Sequence, residues 1–226
     1  MKLKHIIASI ALVTLTSCAN SGVYTKATQA ATTPDQAISR LKEGNSRFVA
    51  GNSQNLDHLA QLKKTAAGQA PIAAVLSCID SRTSSEIIFD QGIGDIFNAR
   101  VAGNVLNDDL LGSLEFATAK AGAKAILVVG HTSCGAVSGA CADAKVGHVT
   151  GLLAKIKPAV QTASQGRQVK KGDTGFEDRV AAENVKMVVS QIRSRSSILR
   201  DLERQGKLII QGGLHHLDTG KVEFFQ

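Results

Sequence analysis

Three short apolar runs constrain this chain most: "PIAAVL" at 71–76, "KAILVVGH" at 124–131 and "KLIIQGGLHHL" at 207–217. None alternates apolar with polar, so each reads as a strand buried on both faces. Such strands need helices packed above and below, which is the setting of a parallel sheet. "DIFNARVAGN" at 95–104 supplies a further strand. Between the strands lie segments of helical period. "DDLLGSLEFATAKAG" has acids in its first turn and Gly122 as its stop, and Ala181, Val185, Val188, Val189 and Ile192 form an apolar stripe in the stretch from 177 to 206, read as one long helix or two. The Asp218-Thr219-Gly220 turn folds the last run, "GKVEFF", back as a hairpin. The expected fold is α/β: a mostly parallel central sheet flanked by helices, with a short antiparallel C-terminal edge strand.

Ahead of the first strand, Thr33 and Pro34 open a helix with Ala37, Leu41 and Phe48 near one face, and 57–67 gives a second that stops at Gly68. "GAVSGACADA" reads as a helix of small residues, and Pro158 interrupts another over 151–163. The first residues stand apart. "MKLKH" is basic, and "IIASIALVTL" is apolar but too short to span a bilayer, so 1–17 reads as a signal peptide. It ends in Leu15-Thr16-Ser17-Cys18, which resembles the bacterial lipobox and makes Cys18 the candidate for lipidation. The expected location is the periplasm, with membrane attachment only through that lipid, and Ala19 after the Cys points to the outer membrane. Residues 18–33 are small and polar and read as the lipidated Cys with a flexible tether, leaving 34–226 as the folded domain.

The formal charge is +7, but no dense Lys/Arg block occurs, and with no Trp and one Tyr there is little to stack on bases. A nucleic-acid partner is not expected. Of the four cysteines, three remain if Cys18 carries lipid. An odd number in an oxidising compartment argues against a simple disulfide framework and leaves metal ligation as a reason for unpaired thiols.

In open parallel sheets, chemistry gathers beyond the C-terminal ends of the strands. "LSCIDSR" places Cys78, Asp80 and Arg82 just past the first strand, and "VVGHTSCG" places His131 and Cys134 just past the third. Two thiolates and one imidazole suit tetrahedral zinc. Three protein ligands with an exchangeable water would make a catalytic site, and Asp80 as a permanent fourth ligand would make a structural one. Arg82 can form a bidentate pair with Asp80 and draw it off the metal. A closed state with Asp80 on zinc remains the competing arrangement. A thiol oxidoreductase is disfavoured because no Cys-x-x-Cys occurs.

"CIDSR" followed by "GHTSCG" resembles the β-class carbonic anhydrases. The likeness runs over 33–226 and includes "LKEGNSRF", "GQAP", "RVAGN" and "TGKVEFF". The resemblance implies one zinc per chain on Cys78, His131 and Cys134, with Asp80 and Arg82 as catalytic dyad. It implies substrate contacts from Gln69, reaching in from a neighbouring subunit, from Phe97, and from the backbone of Gly135. It implies a homodimer or higher even oligomer. The activity implied is reversible hydration of carbon dioxide to bicarbonate and a proton, by attack of zinc-bound hydroxide. Phe116 stands where the family has a Tyr. A non-catalytic bicarbonate site found in one subgroup would need Trp, Arg and Tyr where this chain has Val75, Arg100 and His215, so that site is not expected. His58 and His148 are candidates for moving the proton. A zinc-bearing structural module and a hydrolase of carbon disulfide or a similar linear molecule stand as rival readings.

Overall fold

The computed structural model describes residues 22–165 and 173–225, and within them the chain builds one five-stranded sheet. In chain order the strands are β1 (Ala73–Ser77), β2 (Ile96–Arg100), β3 (Ala125–His131), β4 (Ile209–His215) and β5 (Val222–Phe224). Across the sheet they run β2-β1-β3-β4-β5, parallel except for the antiparallel β4–β5 edge. This is the α/β arrangement that the apolar runs require.

Helices cover both faces because successive strand residues point opposite ways. On one face Ala74, Leu76, Ile126, Val128 and Ile210 pack against α5 (Asp108–Glu115), α9 (Thr174–Arg195) and α10 (Ser197–Arg204), through Leu111, Leu114, Val185, Val188, Ile192 and Leu199. On the other, Ala73, Val75, Leu127 and Val129 meet α2 (Pro34–Val49) and α4 (Ser85–Ile88) through Ala37, Ile38, Leu41 and Ile88. A third cluster closes the C-terminal end of the strands. It joins Cys78, Cys134 and Leu214 to α6 (Gly135–Cys141), α7 (Val149–Ala154), α8 (Lys157–Ser164) and α9.

Local chemistry sets most of the boundaries. Thr33 caps α2 in a reciprocal box with Gln36, and Pro34 occupies its first turn. Asp57 caps α3 (His58–Thr65), Asn107 caps α5 and Asp173 caps α9. Pro158 falls in the first turn of α8, so the expected interruption is a break between two helices. The long C-terminal segment divides at Ser196, whose hydroxyl accepts the N–H of Leu199 and starts α10.

The segment "LKEGN" acquires a physical reason. A Cβ on Gly44 would lie 1.7 Å from the Phe89 carbonyl oxygen, so only glycine lets α2 approach so closely. Next to it, buried Asn45 donates to the carbonyls of Ile88 and Gly220 and accepts the N–H of Val222. One side chain thus ties α2 to α4 and to the β4–β5 hairpin.

The tether expected over 18–33 needs correction in its described part. Thr25 caps a short helix, α1 (Lys26–Ala31), and buried Gln29 donates to the carbonyls of Pro71 and Ala121. The small polar composition concealed a docked segment because its anchor is an amide rather than an apolar side chain. The ordered body therefore starts ahead of residue 34. Residues 1–17, where a signal peptide is expected, and Cys18 lie outside the described residues. The short helix α4 was not anticipated.

Candidate metal centre

Cys78 follows β1 directly, His131 ends β3, and Cys134 closes the turn after it. Parallel pairing of β1 with β3 brings these ends side by side. The Cys78 and Cys134 sulfurs and a His131 ring nitrogen lie within 4.8 Å of one another, and all three residues are buried. The turn between the last two needs Ser133 in the left-handed region, at φ 54°. The Ser133 N–H donates to Asp178 Oδ1 of α9 at 3.0 Å.

The donor set fits a zinc ion. His131 Nδ1 faces the Thr132 carbonyl at 2.9 Å, and a carbonyl only accepts, so that nitrogen carries the hydrogen. The bare Nε2 has no hydrogen-bond partner among the described residues and is fully buried. A buried acceptor left empty beside two thiols is the arrangement expected of a metal ligand whose other nitrogen is fixed by its surroundings. The electrostatics agree. The neighbouring Cys134 thiol, then His131 and the N–H groups of Asp80 and Gly103, outweigh burial and pull the Cys78 thiol down to about 4. Its charged neighbour and burial push the Cys134 thiol up. The pair thus shares one proton, and a cation would displace it. The Cys78 sulfur raises the pKa of His131 against the effect of burial.

Asp80 stands at the edge of this cluster, with Oδ2 at 3.8 Å from His131 Nε2. Arg82 grips it with both arms: Nε donates to Oδ1 at 2.9 Å and Nη2 to Oδ2 at 2.7 Å, while the Arg82 backbone N–H adds a bond of 2.9 Å to Oδ1. That guanidinium holds the carboxyl well below the usual carboxylate range. The loop between them is fixed from behind. Arg100 donates to the carbonyls of Cys78 and Asp80, and the Thr83 hydroxyl donates to the same region. Arg100 therefore serves the loop. Val75 is buried in β1, and His215 is buried at the end of β4 with neither ring nitrogen partnered among the described residues.

The other expected site residues lie elsewhere in the chain. Gln69 is exposed ahead of β1, at the strand end opposite Cys78. Phe97, on the edge strand β2, pairs with Ala74, meets Phe116 edge-on at 6.3 Å, and lines a separate cavity of about 740 Å³ with it. Gly135 is the exposed first residue of α6, next to Cys134. His58 lies at the start of α3 beside Gln61, and His148 is exposed before α7. Cys141 is at the end of α6, apart from the cluster, with its thiol pushed up to about 11 by burial. Asp178 and Thr83 were missed by sequence reasoning. Thr83 stands directly after "CIDSR" and could have been noticed, whereas Asp178 carries no local signal.

A carbonic anhydrase family model matches residues 73–222. Carbonic anhydrase 2 of Mycobacterium tuberculosis is 40% identical over 199 residues, covering 84% of this chain and 92% of that protein. The carbonic anhydrase of Mycolicibacterium smegmatis is 35% identical over the same shares. Among solved structures, the β-carbonic anhydrase CafA of Aspergillus fumigatus superposes with a TM-score of 0.68 at 22% identity, covering 85% of this chain and 90% of that one. Two tetrameric β-carbonic anhydrases of Sordaria macrospora are represented at 0.68 and 22%, covering 84% and 95%. At that identity these superpositions speak for the fold.

Proposed function

The chain belongs to the β-class carbonic anhydrases, and from that premise we propose that Cys78, His131 and Cys134 hold one zinc ion while Asp80 and Arg82 work beside it. The activity is the reversible hydration of carbon dioxide to bicarbonate and a proton. Bound there, zinc supplies the charge that makes a water acidic, with a pKa of about 7 in place of about 15.7.

The remaining work falls to the chain's own residues. Asp80 stays ionised because Arg82 holds it so, and its carboxylate accepts a hydrogen from the attacking water and aims the oxygen lone pair at the carbon of the substrate. Arg82 keeps that carboxylate at the edge of the ligand set. The observation that carries this reading is the position of Asp80: near enough to the three ligands to reach a water among them, yet bound on both oxygens by Arg82. Gly135 offers backbone beside Cys134.

Gln69 and Phe97 do not face their own cluster. From Ala73 to Ser77, β1 alone spans about 13 Å. Gln69 therefore serves the centre of a second copy, where its amide donates to the substrate oxygen that gains charge, and Phe97, which lines the cavity beside α5 with Phe116, is offered to that copy as well. A homodimer or higher even oligomer follows, and the tetrameric Sordaria proteins favour that assembly. We also read the chain as exported, cleaved before Cys18 and held at the periplasmic side of the outer membrane by lipid on that residue, on the strength of "LTSC". Mass spectrometry of the mature N-terminus decides this: an unmodified chain beginning elsewhere removes the anchor.

Stopped-flow hydration of carbon dioxide, with and without a zinc chelator, tests the central reading. Activity should vanish on stripping and return with one zinc per chain. Hydration that survives complete removal of zinc would defeat it.

A further inference from the structure

The segment "RVAGN" enters the metal centre through its backbone. Gly103 lies in a tight turn after β2, at φ 65°, and a Cβ there would meet Ile156 Cδ1 at 2.6 Å, so a side chain would be both strained and crowded. Its N–H donates to the Cys78 sulfur at 3.3 Å. Beyond the same α-carbon, its carbonyl accepts from Asn184 Nδ2 of α9 at 2.8 Å. Asn184 is wholly buried on a helix whose other inward positions, Val180, Ala181, Val185 and Val188, are apolar. A buried amide in such a place is costly without partners. Asn184 Oδ1 has none among the described residues, so the bond to Gly103 is the one that offsets its burial.

We propose that Asn184 is a positioning residue for the metal centre, pinning Gly103 from the far side so that the Gly103 N–H stays on the Cys78 sulfur. A glycine in the left-handed region has neighbouring backbone states open to it, and the turn offers no side chain to lock it. Asn184 fixes the carbonyl, and the turn then holds the N–H in line with the sulfur. An N–H on a metal-bound thiolate draws off part of its charge and fixes the direction of its lone pairs. Outer contacts of this kind typically alter metal affinity by about 10- to 100-fold. This inference rests on Cys78 being a zinc ligand, which Cys78→Ala checks separately by loss of zinc.

The test compares Asn184→Leu, which keeps the branched shape and the number of heavy atoms and removes the donor, with Val188→Ala, a buried change on the same helix whose side chain packs in the cluster over the sheet face. Zinc affinity is read by competition with a chromophoric chelator. The cobalt(II)-substituted protein is read by its thiolate-to-metal charge-transfer band. Loss of the N–H raises the energy of the sulfur lone pairs, so Asn184→Leu should shift that band to lower energy and weaken zinc at least tenfold. Val188→Ala should lower the melting temperature and move neither readout. Should Asn184→Leu fail to fold, Asn184→Ser, too short to reach the carbonyl, takes its place with the same expectations. A variant lacking the donor whose cobalt band and zinc affinity match wild type, or a Val188→Ala that shifts both equally, overturns the proposal.

Discussion

Replacing Arg82 with Ala should close the metal centre from within. Every hydrogen bond to the Asp80 carboxylate among the described residues comes from Arg82. The substitution keeps the backbone N–H on Oδ1 and removes both guanidinium contacts, including the one that occupies Oδ2. Oδ2 is the oxygen 3.8 Å from His131 Nε2. Two nitrogen or oxygen ligands on a tetrahedral zinc, with bonds of about 2.0–2.2 Å, stand about 3.4 Å apart. The carboxylate is therefore only about 0.4 Å outside ligand spacing, a distance that a small side-chain rotation covers. With the water displaced, hydration should fall on the order of 10²–10⁴-fold, the range lost with a positioned acid–base group. Zinc should remain near one per chain. Arg82→Lys should fall between the two, because an ammonium is a point charge and cannot grip both oxygens. Stopped-flow rates, elemental zinc analysis and a crystal structure of Arg82→Ala together make the assay. A variant that keeps wild-type rates refutes the gate. So does one that loses activity while Asp80 still stands off the metal.

Three further outcomes follow from the same geometry. Cys141→Ser should keep its zinc and its hydration rate, since that thiol is outside the ligand cluster and is protonated at neutral pH; loss of metal on elemental analysis would overturn the ligand set. Asn45→Ala should cost about 2–3 kcal/mol in urea unfolding of the zinc-loaded protein, because it strips the buried Val222 N–H and two carbonyls of their partner. Burial, then His131 and His216, lowers the pKa of His215 to about 4 from an ordinary 6.5. The unfolded chain thus takes up this proton first, and stability should drop as pH falls from 6.5 towards 4, by about 3 kcal/mol at most. Thermal melts of His215→Phe should lose that part of the acid dependence, and an unchanged profile would remove His215 as its source.

The sequence alone was enough to indicate the sheet, the starts of several helices and the gathering of Cys78, His131 and Cys134 at one end of that sheet. Each depends on short-range physics. Unbroken apolar runs can be buried only between two layers, Thr33, Asp57 and Asn107 cap helices within three residues of themselves, and His131 and Cys134 share one turn. Asp80 and Arg82, two apart, could be paired on chemistry alone, and the structure pairs them. The docking of α1 escaped notice because Gln29 holds it by polar contacts to Pro71 and Ala121, which have no periodicity to read. What only the tertiary structure decided is which distant groups steady the centre. Asn184 meets Gly103 across 81 residues and Asp178 meets Ser133 across 45, while away from the centre Asn45 ties α2 to Val222 across 177. Its place in the apolar stripe, three residues after Ala181 and four before Val188, marks Asn184 as buried, but nothing near it in the chain names its partner. Its role exists only because parallel pairing sets β1 between β2 and β3, and α9 packs on that sheet and on the turn that holds Gly103.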